Sequence, residues 1–211
     1  MSIITQLAQG GWVMAPLLIG SVFVVTAILE RLWYFGRLSW GRESFQVRLQ
    51  ELVRARKFDE ALEWMRTLKG PIPSIVAAGL IQWPRGRIAL ESGMAAQAKR
   101  TQPALFNSLS ILESAVTASP LVGLLGTILG MMGVFHTVAM KIANNPNADT
   151  NGITAGIGEA LISTAAGIFL AVFSLLVNNF FNRLAEIQLQ RADVIAADLL
   201  VAYEEMATEA A

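Results

Sequence analysis

The chain has 211 residues, 54% of them hydrophobic and 15% charged, with 16 basic residues balancing 16 acidic ones. Soluble domains carry about 25% charged residues, so a membrane protein is favoured, and a net charge of zero argues against a nucleic-acid binder that works through a basic surface. There is no cysteine, a single histidine (His136), no phosphate-binding GxxxxGK loop and no HExxH pair, so no metal site, cofactor or enzymatic activity is expected.

A helix needs roughly 20 apolar residues to cross about 30 Å of hydrocarbon, and three stretches meet that need. Met1 to Leu29 carries no charge, with its apolar part from Trp12 to Leu29. No Lys or Arg precedes this run and no Ala-x-Ala site follows it, so a cleaved leader is not expected. Trp12 at one end and Trp33 with Tyr34 at the other resemble interfacial belts. Residues 31–113 are polar by comparison. Helical spacing recurs there in Phe45, Leu49, Leu52 and Val53, and again in Phe58, Ala61, Leu62 and Met65. Gly70-Pro71-Ile72-Pro73, Trp83-Pro84 and Gly86 break the pattern. A third helix is predicted from about Ile88, running into the second span with a bend at Pro103. This cluster reads as a packed scaffold, with recruitment of a soluble partner as the alternative.

The second span, residues 114–140, is uncharged. The loop at 141–155 holds Asn145-Pro146 and Asn151-Gly152, which is turn chemistry. The third span, residues 156–182, contains one charge, Glu159, and residues 183–211 remain helical in pattern, with Leu184, Ile187, Ile195 and Leu199 on one side. The basic residues number 0 before span one, 13 between spans one and two, 1 in the next loop and 2 after span three. The positive-inside rule then predicts residues 1–30 as an outside N-terminus and span one, 31–113 inside, 141–155 outside and the C-terminus inside. The expected fold is all-α and polytopic: three transmembrane helices, the second and third extending into the cytoplasm.

Span two carries Ser119, Gly123, Gly126, Gly130, Gly133 and Thr137 at spacings of 4, 3, 4, 3, 4, which keeps small residues on one face for five turns. Small residues let helices approach closely in lipid, where no hydrophobic drive joins them. The stripe alone leaves two readings open, packing within one bundle or a subunit interface in a ring, and oligomer packing of a ring through Gly123, Gly126, Gly130 and Gly133 is the expectation. Span three has a similar stripe, Gly156, Ala160, Thr164, Gly167, Ala171, Ser174 and Asn178. Thr127 and Thr164 each lie 13 residues from the same side of the membrane, from Met140 and Asn151 respectively, so antiparallel spans bring both hydroxyls to similar depth. A membrane threonine also often bonds only its own helix. Intramembrane charge costs about 3 kcal/mol at the bilayer centre, which makes Glu159 either a polar-cavity group or a carboxylate snorkelling to the surface. It lies about 8 Å outward of Thr164 along the helix and about 140° around it. His136 reads as interfacial first and as part of a proton path second.

At these residues the chain resembles the MotA/TolQ/ExbB family. Ala118-Ser119-Pro120-Leu121-Val122-Gly123-Leu124-Leu125-Gly126-Thr127-Ile128-Leu129-Gly130-Met131-Met132 is similar to its second-span signature, and Gly156-Ile157-Gly158-Glu159-Ala160-Leu161-Ile162-Ser163-Thr164-Ala165-Ala166-Gly167 to its third-helix motif. Three spans with a large inside loop resemble the ExbB branch most, TolQ second, and the four-span MotA less. The resemblance implies a homopentameric ring in the bacterial inner membrane, around helices of a one-span ExbD- or TolR-like partner. It implies a motor that spends the proton gradient through a TonB- or TolA-like protein, with Thr127, Thr164 and Glu159 in the ion pathway. Glu113 has no matched role. Hydroxyls without a series of carboxylates leave a proton path incomplete, so a partner carboxylate is expected to complete it. A non-conducting scaffold is the competing class. A small-solute transporter is disfavoured by the lack of paired broken helices.

Overall fold

A computed structural model describes residues 14–38, 43–144 and 152–209. The outer turn at Asn145-Pro146 and Asn151, and the belt residue Trp12, lie outside the described residues. Among the described residues seven α-helices run in order: α1 Met14–Arg37, α2 Glu43–Arg54, α3 Phe58–Thr67, α4 Pro71–Gln82, α5 Arg87–Phe106, α6 Leu109–Asn144 and α7 Gly152–Glu209, with a 3-10 turn at Trp83–Arg85 between α4 and α5. No strand occurs among the described residues. α1, α6 and α7 are each long and apolar enough to cross a membrane. The protein is therefore all-α with three candidate spans. α7 has 58 residues, about 87 Å at 1.5 Å per residue, so it far outruns a hydrocarbon core of about 30 Å.

The chain forms two compact units, one from residues 1–30 and 108–180, the other from 31–107 and 181–211. In the first, α1 turns Met14, Leu17, Val24 and Ala27 inward. Leu18, Ile19, Val22, Phe23, Val25 and Leu29 stay exposed, the pattern of a helix whose outer face meets lipid rather than water. Ser108, just ahead of α6, donates a hydrogen bond to the Glu30 carboxylate. An acidic group there complements the positive N-terminal end of the helix.

In the second unit a core of Leu49, Val53, Ala61, Met65, Ile72, Ile75, Val76, Leu80, Leu90 and Met94 closes against Ala192, Ile195 and Leu199 of α7. Rings frame it: Phe58 and Trp83 are 4.9 Å apart, Trp83 and Tyr203 5.1 Å, and Phe35 stacks on Phe181 at 5.7 Å. The turns that fold the cluster back on itself depend on Gly70 (φ 138°, ψ 174°) and Gly86 (φ 102°, ψ 170°), a backbone region that only glycine adopts readily. At Gly86 the nearest atom to an added Cβ is Tyr203 Oη at 3.9 Å, so space is available and the conformation alone is the obstacle. Gly86→Ala is expected to lower the stability of the purified protein by about 1–3 kcal/mol, read as a drop in its thermal midpoint. An unchanged midpoint would show that the turn can relax.

The helix predicted to run from about Ile88 into span two is instead two helices, and this corrects the sequence reading. α5 passes through Pro103 and ends at Phe106. The reason lies elsewhere in the chain. Arg31, 2% exposed, donates from Nη1 to the carbonyls of Ala104 (3.1 Å) and Leu105 (2.9 Å). Carbonyls in the last turn of a helix lack helical donors, and a guanidinium satisfies two of them at the negative end of the helix dipole.

Candidate functional site

The site is the contact between α6 and α7 in the first unit. Its closeness follows from glycine. A Cβ on Gly123 would lie 3.0 Å from the Ser163 carbonyl oxygen and 3.1 Å from Thr164 Cα. A Cβ on Gly167 would lie 2.5 Å from the Ser119 carbonyl oxygen and 3.0 Å from Gly123 Cα. One on Gly130 would meet Ala160 Cβ at 2.8 Å. The two backbones therefore touch, and neither side has room for a methyl group.

Gly123 and Gly130 thus face a helix of their own chain, while Gly126 is buried and Gly133 faces open space, with nothing within 4 Å of an added Cβ. The stripe serves packing within one chain at Gly123 and Gly130, and Gly133 lies beyond that contact.

Close approach lets Thr164 reach across. Its Oγ1 donates to the carbonyl of Gly123 at 2.8 Å. In an α-helix that same carbonyl faces the amide four residues on, here the amide of Thr127. The Thr164 hydroxyl is therefore tied to the turn from which Thr127 projects. Thr127 Oγ1 donates to its own helix, to Leu124 O at 2.7 Å. Both hydroxyl protons are held by backbone carbonyls. Each oxygen keeps lone pairs that can accept from water or from a partner's side chain, but neither hydroxyl titrates near neutral pH.

Glu159 is exposed on α7, next to Ala160, which is jammed against Gly130. Its backbone carbonyl accepts from Ser163 Oγ at 3.1 Å. The structure joins Thr164 to the turn of Thr127 and leaves the Glu159 side chain outside that contact. His136 and Glu113 are exposed on α6.

The small-residue stripe of span three continues along α7 as a longer row, of which sequence reading overlooked Ser163, Phe181, Ala185, Gln188 and Ala192. Its buried positions within the first unit are Ala160, Ser163, Gly167, Ala171, Ser174 and Asn178; within the second they are Phe181, Ala185, Gln188, Ala192, Ile195 and Leu199. From residue 160 the positions step almost strictly by seven residues in two registers, the repeat of a coiled-coil seam. Counting small and polar residues alongside apolar ones at that period would have found it. Ser174 donates to Leu170 O at 2.7 Å. Asn178 Oδ1 and both amide atoms of Gln188 are buried without a hydrogen-bond partner.

Among the described residues no cluster of metal-ligating side chains occurs. Comparison with characterised proteins bears directly on the α6–α7 contact. The model described as the MotA/TolQ/ExbB proton channel family matches residues 69–193, which include all of α6 and the part of α7 that packs against it. The chain is 31% identical over 206 residues to the biopolymer transport protein ExbB-like 1 of Synechocystis sp., covering 92% of this chain and 75% of that protein. It is 36% identical over 93 residues to the biopolymer transport protein ExbB of Neisseria gonorrhoeae, covering 44% of this chain and 40% of that protein. It is 35% identical over 92 residues to the Tol-Pal system protein TolQ of Pseudomonas aeruginosa, covering 44% and 38% respectively.

Proposed function

Because this chain belongs to the MotA/TolQ/ExbB proton channel family, we propose that it is the ring-forming subunit of a proton-driven motor in the bacterial inner membrane. It assembles as a homopentamer around the helices of a one-span, ExbD-like partner, and the motor energises TonB-dependent transport at the outer membrane. Its N-terminus lies outside, and residues 31–113 and 183–211 lie in the cytoplasm. The observation that carries this reading is the Thr164 hydroxyl bonded to the Gly123 carbonyl at mid-span, in a helix whose apolar part has Glu159 as its one ionisable residue. Two hydroxyls can pass a hydrogen bond along but cannot store a proton. A carboxylate brought by the partner supplies that step, and each proton moved through 100 mV releases about 2.3 kcal/mol. The likeness to a TolQ over 92 residues favours one second reading, a Tol-Pal motor with a TolR-like partner and a TolA-like protein.

The test is reconstitution. Vesicles holding this chain alone should leak few protons down an imposed gradient, as read by an internal pH dye. Vesicles holding it with its co-purified one-span partner should conduct. Equal flux without the partner would refute the shared pathway, and failure to co-purify any one-span protein would refute the motor assignment. Topology is checked separately. Introduced cysteines near Ser2 and Asn147 should react with an impermeant reagent in intact cells, and cysteines near Arg54 or Thr208 should not. Labelling at Arg54 would reverse the orientation.

A further inference from the structure

Glu113 stands exposed in the second turn of α6, at the inner boundary of the second span. Its backbone carbonyl accepts from Thr117 Oγ1 at 3.2 Å, while its carboxylate has no partner among the described residues. Glu113, Pro120 and Thr127 follow one another at seven-residue steps. At about 100° per residue each step falls about 20° short of two full turns, so the three share one face of α6 within about 40°. Gly123 and Gly130 point at α7, and Glu113 lies about 80–100° around the helix from them, beside the contact rather than in it. Leu124, 51% exposed, and Thr117, also exposed, border the face, so the chain itself leaves it open.

Pro120 adds a polar opening midway. Proline lies inside α6 there and has no amide, so the carbonyl of Val116 loses its helical donor. Membrane helices satisfy such a carbonyl with water or a neighbouring polar group. Each seven-residue step spans about 10 Å along the axis, a distance that a short file of waters bridges between the Thr127 hydroxyl, the Val116 carbonyl and the Glu113 carboxylate.

The charges around Glu113 leave it free to exchange a proton. In the first unit Glu30 is the other carboxylate at this end, and Ser108 donates to it. His136 lies 23 residues farther along α6, about 35 Å away, and Lys141 lies beyond it. Glu159 neighbours Ala160, which meets Gly130, about 26 Å along the axis from Glu113. Among these described residues no cation stands close enough to lock Glu113 into an ion pair. An ionised group is also tolerated better at the edge of the bilayer than at its centre, so a carboxylate can be both charged and neutral here.

From this face we infer that Glu113 is a proton-binding site of the channel, the group that releases protons on the inside. The inference rests on the reading above that the chain conducts protons together with a one-span partner. A proton that passes Thr127 reaches the ionised carboxylate through water at Pro120 and converts it to the neutral acid. The acid gives that proton to water on the inside and returns to the carboxylate, so proton and charge balance over each cycle. Glu159 toward the outer side and Glu113 at the inner end then bracket the two hydroxyls.

The experiment uses the full chain with its co-purified partner, in vesicles of one known orientation, with flux read by the internal pH dye. Glu113→Gln keeps size and cannot titrate. It should lower flux about tenfold or more, with the thermal midpoint and the bound partner unchanged, and Glu113→Asp should keep most of the flux. A membrane-impermeant buffer raised on the Glu113 side should partly rescue the Gln variant, because it collects protons in place of the carboxylate, and the same buffer on the opposite side should not. Full flux in the Gln variant, a loss shared by the Asp variant, buffer rescue from both sides or from neither, or a fallen midpoint would each overturn the assignment and leave the motor reading standing. A wild-type complex that does not conduct would overturn both.

Discussion

Gly167→Leu is expected to leave no correctly folded protein. A Cβ at this position would sit 2.5 Å from a backbone oxygen of α6 and 3.0 Å from a backbone carbon, and backbone cannot rotate out of the way as a side chain can. Carbon atoms prefer separations of about 3.5–4.0 Å, so α6 and α7 would have to part by about 1 Å or more along the whole contact. Overpacking ordinarily costs about 1–3 kcal/mol, and here it also takes the Thr164–Gly123 hydrogen bond out of reach. The measurement is the yield of monodisperse protein in detergent and its thermal midpoint, beside Gly133→Leu as the control. Gly133 has nothing within 4 Å of an added Cβ, so its leucine variant should fold normally. Should that variant fold yet lose the oligomer by native mass spectrometry, the outer end of the stripe is the subunit contact. A well-folded Gly167→Leu protein would mean that the helices do not pack as described.

The second large effect is expected at Glu159 and Thr164, read as proton flux in vesicles containing the partner. Glu159→Gln keeps size and hydrogen-bonding capacity but cannot titrate. If Glu159 feeds protons into the path from the outer side, both Gln and Ala variants should lose most of the flux, about tenfold or more, with the complex intact. A working Gln variant beside a failing Ala variant would assign the residue a hydrogen bond only. Normal flux in both would make it a surface carboxylate. Thr164→Val keeps shape and removes the donor to Gly123 O, and should lower flux strongly. Thr127→Val removes only a bond to its own helix, together with one acceptor, and should cost less. Equal and full activity of both valine variants would make the hydroxyls purely structural.

Much of this was legible in the residues themselves. Three long apolar runs announce three spans, because hydrocarbon thickness sets a length that composition reveals directly. The small-residue spacing in both later spans announces close packing. What spacing cannot say is which neighbour a glycine faces. Gly123 and Gly130 turn to the chain's own α7 while Gly133 does not, although all three lie on one stripe. The seam of α7 stayed hidden because Ala185, Gln188 and Ala192 do not look like core residues, although each is 5% exposed or less. The break after Phe106 was illegible for another reason. It is set by Arg31, 73 residues away from the carbonyl it binds at Ala104, and local propensity pointed instead to Pro103.

That long reach has a consequence for how the chain is made. Arg31 leaves the ribosome before Ala104 and Leu105 exist, separated from them by 73 and 74 residues. At about 5–20 residues per second, the guanidinium waits roughly 4–15 seconds for the carbonyls it will hold. During that interval its charge is costly to draw into lipid. The same side chain is therefore expected to act twice, first against further insertion of the chain and later as the clamp at the end of α5. A chain truncated before residue 104 should still insert its first span with Arg31 accessible to water.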